Sequence, residues 1–419
     1  MSPPRGSHGL HPNTLLVHGP RTSQPYRATL PPVALSTAFE YPSAEAMEAV
    51  FAHKEDGYAY SRLSNPTVAA LEERITAISG ARGTIAVASG MSAVALALLG
   101  LVQSGDHLVA GKHSFGGSYT LLNDTFSRLG IRTTWVDARN GDDVRRAIAP
   151  ETRAVLVEAI ANPAMVVPDF DAIRKHCAAA RIPLLVDATL VTPLLLDAEA
   201  TGADVAIYSG SKYLAGAATT IGGLIVDTGR FPWGDPGPVR LGEFQRQGKD
   251  GYLNRIRREL LVGIGPTLSP HTAFLQLIGL ETLGLRLERQ WSTACRIAAW
   301  LRGQPGVASV LYPGLEDHPA YERCRRYFRG RPGSVLSFTL ASREACFRFL
   351  DGLGLIQRAA NLGDTRTLAL HPASTIYHGY WPAQKEELGV PDTLIRLSVG
   401  IEDVEDLSAD LAQALAAAR

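Results

Sequence analysis

From about Ser61 to Val226 the chain alternates amphipathic helical periodicity with short, continuously apolar runs, and no other feature of the sequence constrains the fold as tightly. A run that is apolar along its whole length is a strand buried on both faces, as happens where helices cover a largely parallel sheet. Seven runs qualify: Thr84–Ala88, His107–Ala110, Arg132–Val136, Ala154–Glu158, Ile182–Asp187, Val205–Tyr208 and Gly222–Val226. Between them Asn65–Ile78, Met91–Val102, Gly116–Leu129 and Phe170–Ala180 space their apolar residues three or four apart, as amphipathic helices do. The pattern predicts an α/β unit around a mainly parallel, seven-stranded sheet.

A chain of 419 residues is long enough for two or three such units. Beyond the sheet, Asp227 to Gly251 is rich in Gly and Pro, with Phe231-Pro232-Trp233-Gly234-Asp235-Pro236-Gly237-Pro238 at its centre. That composition excludes regular helix or strand there and reads as an active-site or inter-subunit loop. A long helical segment follows, Ser269 to Arg302, then strands near Val307–Leu311, Ser334–Thr339, Thr367–Leu370 and Leu394–Val399, and an Ala-rich closing helix, Val404–Ala418. These form a smaller C-terminal α+β domain. The expected division is an N-terminal arm and inter-subunit segment over 1–60, the α/β domain over 61–268 and the second domain over 269–419. Met1 to Thr14, with three prolines and no apolar run, reads as a flexible arm.

Lys and Arg total 41 and so do Asp and Glu, so no overall field attracts nucleic acid or a membrane surface. No stretch approaches the roughly 18 apolar residues of a membrane helix. The four cysteines, Cys177, Cys295, Cys324 and Cys346, show neither the pairing of a disulfide framework nor that of a metal cage, which points to a reducing, cytoplasmic setting and no metal.

Open α/β sheets bind ligands at the carboxyl ends of their strands. Three places there carry chemistry. Val87-Ala88-Ser89-Gly90-Met91-Ser92 turns a strand through glycine into a helix, leaving amides and a positive helix end outward; alone it is equally an ordinary turn. Val186-Asp187 ends a strand in a carboxylate, which alone could cap the next turn. Ser209-Gly210-Ser211-Lys212 puts an amine among hydroxyls at a third strand end. Only 6 of the 41 basic residues are lysines, and Lys54, Lys112, Lys175, Lys249 and Lys385 lie in polar segments that read as solvated. A lysine that forms an imine must be neutral part of the time, which desolvation or a nearby cation achieves. Hydroxyls and amides hold a phosphate, and a carboxylate holds the proton of a pyridine nitrogen. Together these are the requirements of pyridoxal 5'-phosphate.

The chain resembles the Cys/Met-metabolism group of fold-type I pyridoxal-phosphate enzymes. The markers are Tyr60-Ser61-Arg62 with Asn65-Pro66-Thr67, Ala88-Ser89-Gly90-Met91, Glu158 with Asn162-Pro163, Val186-Asp187-Ala188-Thr189, Ser209-Gly210-Ser211-Lys212, His371-Pro372-Ala373-Ser374-Thr375 and Arg396-Leu397-Ser398. The long loop after Asp227, with Asn361-Leu362-Gly363-Asp364, looks most like the O-acetylhomoserine sulfhydrylase branch. The resemblance implies that Lys212 is the Schiff-base lysine and acid/base, and that Asp187, beside Thr189, pairs with the ring nitrogen. Gly90, Met91, Ser209 and Ser211 then hold the phosphate, and Tyr60 and Arg62 reach it from a neighbouring subunit. Asn162 approaches the ring oxygen, and Arg396 grips the substrate carboxylate, with Asn361 and Tyr60 also at the substrate. The implied assembly is at least a dimer, commonly a dimer of dimers with active sites at its interfaces.

Two departures bear on the reaction. Phe115 stands where the family usually has a tyrosine; it can stack on the cofactor ring but has no proton to give. The stretch Ile376, Tyr377, Tyr380 and Trp381 is less polar than the family pattern, and Ala188 and Leu190 also differ from it. The implied activity is γ-elimination or γ-replacement on a C4-substituted L-amino acid. The first departure favours a leaving group such as acetate or halide over a thioether, and an alternative is therefore a specialised γ-lyase forming an unsaturated or alkyne amino acid. A different class, the SxxK serine hydrolases, matches Ser209 and Lys212, but its SDN and KTG elements do not occur in the chain.

Overall fold

The computed structural model describes residues 9–20, 28–235 and 237–419. The seven apolar runs form one sheet: β1 Gly83–Val87, β2 His107–Gly111, β3 Arg132–Val136, β4 Thr152–Glu158, β5 Leu184–Asp187, β6 Val205–Ser209 and β7 Gly223–Asp227, in the order β1-β7-β6-β5-β4-β2-β3. Strands β2 to β6 pair in parallel, while β7 runs antiparallel to β6 and to β1. Alternate residues of one strand enter different cores. Val155 and Val157 of β4 pack with Val186 of β5 on one face, and Ala154 and Leu156 pack with Leu185 on the other. Burial on both sides is the reason the inner strands read as unbroken apolar runs; β3, at the sheet edge, fully buries only Val136.

The helices start where local chemistry allows. The Asn65 side chain accepts a hydrogen bond from Thr67 N (2.9 Å) and Pro66 occupies the first turn of Pro66–Ser79, which Gly80 ends in the left-handed region (φ 60°). Phe170–Ala180 forms as expected. The regular helix expected over Gly116–Leu129 is interrupted: α-helical turns end at Thr120, and wider π-type turns carry the chain from Leu121 to Phe126.

Three expectations need correction. The Gly- and Pro-rich segment after Asp227, expected as an active-site or inter-subunit loop, places none of its described residues in the cavity in front of the large sheet. Trp233 stacks on Tyr252 (4.2 Å between centroids), donates from Nε1 to Asp227 Oδ2 (2.9 Å) and, with Leu241 and Phe244, is built into a core under the sheet. Its aromatic and aliphatic residues overcome the turn-forming composition, and Gly242–Asp250 even winds into a short 3-10 segment. The long helical segment expected from Ser269 to Arg302 consists of two helices, Pro270–Glu281 and Leu283–Leu301, separated at Thr282. The expected flexible arm is partly fixed: Pro12–His18 is a helix that buries Leu15 and Leu16, while residues 1–8 lie outside the described residues.

The second sheet comprises β8 Ser309–Leu311, β9 Val335–Thr339, β10 Gln357–Arg358, β11 Leu368–Leu370 and β12 Leu394–Ser398, in the order β10-β11-β12-β9-β8. Helices Arg343–Asp351 and Val404–Ala418 cover it. The helix Leu283–Leu301 joins the two cores: Leu283 and Leu287 pack with the large sheet, Ala294 to Leu301 with the small one. Among the described residues no helix is long and apolar enough to cross a membrane.

Candidate active site

Strands β4, β5 and β6 end side by side at Glu158, Asp187 and Ser209, and in front of these ends lies a cavity of about 450 Å³. Its volume is that of a small-molecule or cofactor site. A larger cavity, about 690 Å³, lies at the amino ends of β5 and β6, beside Arg174, Arg230, Asp204 and Trp233, and contains neither Lys212 nor Arg396.

One wall is the start of the helix Gly90–Leu99. Ser89 caps it, accepting from Ser92 N (3.0 Å), and the Gly90 and Met91 amides, which have no partner within the helix, line the cavity. Glycine is required on both sides of this turn. A Cβ on Gly90 would stand 2.9 Å from the Ser209 Cβ, and one on Gly223 would stand 2.1 Å from the Ser89 carbonyl oxygen. Ser209, Ser211 and Thr220 add hydroxyls, so amides, hydroxyls and the positive end of a helix converge, as an anion requires. Ser211 Oγ also accepts from Gly222 N (3.0 Å).

Asp187 accepts from Thr189 twice, from its backbone N (3.0 Å) and its Oγ1 (2.6 Å), and the same hydroxyl accepts from Ser209 N (2.9 Å). Burial raises the Asp187 carboxyl above the usual carboxylate value, and the Thr189 bonds oppose that rise. Glu158, its register partner on β4, is raised as well, by burial first and by the Asp187 charge second. Among the described residues no cation forms an ion pair with either of these neighbouring carboxyls, and a positively charged group in the cavity would stabilise their ionised forms.

Lys212 sits in a kinked turn with φ −99° and ψ −128°, and its Nζ donates to Asn361 Oδ1 (2.7 Å). Burial, then the charge of Arg396, pulls its pKa down to about 8. Of the other lysines, Lys112 is half-buried beside Asp137 (3.6 Å), so it is less solvated than its segment implies. Arg396, on β12, is 3 % exposed; Nη1 donates to Asn162 Oδ1 (3.3 Å), Nη2 to Asn361 O (2.7 Å), and Nε has no partner. Burial lowers it to about 10, so it stays cationic at neutral pH. Among the described residues no carboxylate forms an ion pair with it. A buried guanidinium without a counter-ion is a site for an anion entering from the cavity.

The cavity thus gathers Gly90, Met91, Phe115, Asn162, Asp187, Thr189, Ser209, Ser211, Lys212, Asn361 and Arg396 from the sequence-predicted set. Tyr60 and Arg62 stay outside. Tyr60 is 42 % exposed, and Arg62 lies over its ring (5.7 Å) and donates to Val262 O (2.6 Å). Leu190 and Ile376, two of the departures from the family pattern, line the cavity, as do Glu158, Ser118, Thr220 and Ile221, which were given no role from sequence. Glu158 was legible as the last residue of its strand; the others lie on loops and helices whose approach depends on the tertiary fold.

The residues fit pyridoxal 5'-phosphate: an anion cradle, a carboxyl that a cation would stabilise in its ionised form, an aromatic ring beside them and a lysine of depressed pKa. Residues 13–416 match the family model of Cys/Met metabolism PLP-dependent enzymes. The chain is 38 % identical to a sulfhydrylase of Gibberella moniliformis, with 96 % of each protein covered. It is 40 % identical to O-acetyl-L-homoserine sulfhydrylase 1 of Thermus thermophilus, covering 92 % of this chain and 94 % of that one. A crystal structure described as an O-acetylhomoserine (thiol)-lyase of Campylobacter jejuni, containing N'-pyridoxyl-lysine-5'-monophosphate, superimposes with a TM-score of 0.91 at 32 % identity, covering 97 % of this chain and 100 % of that one. Site chemistry, fold and sequence therefore agree, and the chain belongs to the Cys/Met metabolism family of pyridoxal-phosphate-dependent enzymes.

Proposed function

We propose that the enzyme performs γ-replacement on a C4-activated L-amino acid of the O-acetylhomoserine type, with sulfide or a thiol as the incoming nucleophile. The observation that carries this reading is the unpaired, buried Arg396 guanidinium in the same cavity as the depressed lysine, Lys212. It offers an amino-acid carboxylate a two-point grip while an amine waits nearby. The names of the sulfhydrylase relatives support the choice of C4 substituent.

Bound pyridoxal phosphate supplies an electron sink that makes the substrate's α and β protons removable. The chain's own residues supply the rest. Lys212 Nζ is the amine that holds the cofactor aldehyde, and its low pKa suits it to take and return protons at the α and β carbons. Asp187, oriented by Thr189, keeps the ring nitrogen protonated. Gly90 and Met91 amides with the Ser209 and Ser211 hydroxyls hold the phosphate, the Phe115 ring covers the cofactor, and Asn162 stands at its ring oxygen. Arg396 and Asn361 orient the substrate. Tyr60 and Arg62, exposed and outside their own chain's cavity, complete the phosphate site of a neighbouring copy in a dimer or dimer of dimers, with Tyr60 also at the neighbour's substrate. All four cysteines are free thiols, in keeping with a cytoplasmic enzyme.

A second reading, γ-elimination expelling acetate or halide, is favoured by one observation: Phe115, on the cavity wall, carries no proton for a leaving group. Incubating the holoenzyme with O-acetylhomoserine, 4-halogenated amino acids, methionine and cystathionine, with and without sulfide, and identifying products by mass decides between them. A thiol amino acid that forms only with sulfide supports replacement. Keto or unsaturated products at the same rate without sulfide would overturn it in favour of elimination.

A further inference from the structure

The residue that covers the proposed cofactor ring has no polar group of its own to hold it in place. Phe115 is 37 % exposed, begins the short helix Gly116–Thr120 and receives no side-chain cap. Its ring lies over Gly117, where an added Cβ would come within 2.8 Å of it. What fixes the ring is the backbone beneath it. The peptide unit joining Ser114 to Phe115 is held at both ends: its N–H donates to Glu158 Oε1 and its carbonyl accepts from the Tyr377 hydroxyl (3.3 Å). The same two side chains meet again at Asn162. Its N–H donates to Glu158 Oε2 (3.3 Å) and its carbonyl accepts from Tyr377 (3.1 Å). Tyr377 is 2 % exposed, and its hydroxyl hydrogen is shared between the two carbonyls. Tyr380 adds a third bond to this loop, donating to Gly116 O (3.0 Å).

We propose that Tyr377 is a positioning residue that, with Glu158, clamps the Ser114–Phe115 peptide and so sets the seat of the Phe115 ring against the cofactor. The proposal rests on the reading that the cavity holds pyridoxal phosphate with Phe115 on its face. It assigns a task to the apolar and aromatic stretch Ile376–Trp381: Ile376 lines the cavity, while Tyr377 and Tyr380 tie the segment to the loop carrying Phe115. A tyrosine at position 115 would have a hydroxyl of its own to anchor the ring. Here the anchoring comes from the small-sheet side of the molecule.

The test is a double-mutant cycle on holoenzyme with Tyr377→Phe, Phe115→Ala and both together, read by the circular dichroism of the cofactor's visible band and by KM and kcat. Tyr377→Phe removes one hydroxyl and keeps the ring. It is expected to weaken the band's dichroism and raise KM about 5-fold, the scale of one hydrogen bond, with band absorbance retained. In the Phe115→Ala background the same change is expected to have a clearly smaller effect, confined to what passes through the Asn162 carbonyl. Equal effects in both backgrounds, or an unchanged dichroism and KM in Tyr377→Phe, would overturn the proposal. Should Tyr377→Phe fail to accumulate, Glu158→Gln, which keeps the shape and surrenders one acceptor, is read through the same cycle. Wild-type protein that gains no absorbance above 400 nm with added cofactor would instead overturn the cofactor reading, and this proposal with it.

Discussion

The reactivity of Lys212 follows from its surroundings. Burial and the Arg396 charge favour the neutral amine, so its pKa of about 8 lies below the ordinary lysine value. Between those two values the folded chain binds fewer protons than the unfolded one. The burial therefore costs stability that is fully felt below about pH 8 and is relieved as pH rises through the ordinary lysine value. Under the proposed role of Lys212 as the imine-forming amine, the same titration governs capture of the cofactor. In cofactor-free protein, the rate of gaining the visible band on adding pyridoxal phosphate should rise about tenfold per pH unit up to about pH 8 and then level off; a flat profile from pH 6 to 9 would contradict it. Phe115 carries a second prediction. Phe115→Tyr restores a phenol beside the leaving group, so turnover of a thioether substrate should rise about 10-fold or more relative to an acetate or halide substrate. An unchanged ratio in a competition assay would show that leaving-group protonation does not limit this enzyme.

At the scale of elements, the site exists because three parallel strands end together and a helix begins opposite them. Each strand contributes one polar residue at its carboxyl end, and glycines at 90 and 223 let β7 and the helix start come within contact of each other. The segment after Asp227 plays a different part. Its composition reads as an active-site or inter-subunit loop, yet Trp233 is 1 % exposed and stacked in the core. Trp233→Ala should therefore lower stability by about 3 to 5 kcal/mol in urea unfolding while leaving KM for the amino acid within about 2-fold of wild type, as expected of a site that receives none of its side chains. A selective rise in KM with unchanged stability would return the segment to the active site.

For the whole molecule, the position of Tyr60 and Arg62 on the surface, away from their own cavity, makes assembly a functional question. If Arg62 serves the neighbouring subunit, mixing the inactive variants Lys212→Ala and Arg62→Ala and re-associating them should restore about a quarter of wild-type activity, because each mixed pair holds one intact site. No recovery would place Arg62 in service of its own chain. How much of this was legible beforehand differs by level. The runs located all seven large-sheet strands to within two residues of each end, because a strand buried on both faces carries its pattern openly; the largest misses were the starts of β4 and β5, two residues each. A rare lysine among hydroxyls, and a carboxylate ending another run, located the chemistry, because an imine and a protonated pyridine need those groups at strand ends. Other assignments needed the folded chain. Local composition cannot say that Trp233 stacks on Tyr252, that Tyr377 reaches the Ser114 carbonyl 263 residues away, or that Arg396 has no counter-ion. The sequence by itself determined the strands and the coenzyme, since these depend on side-chain chemistry and short-range pattern. The tertiary structure alone decided which loop is core, what holds the Phe115 ring and which charges stand unpaired, since these depend on contacts between segments far apart in the chain.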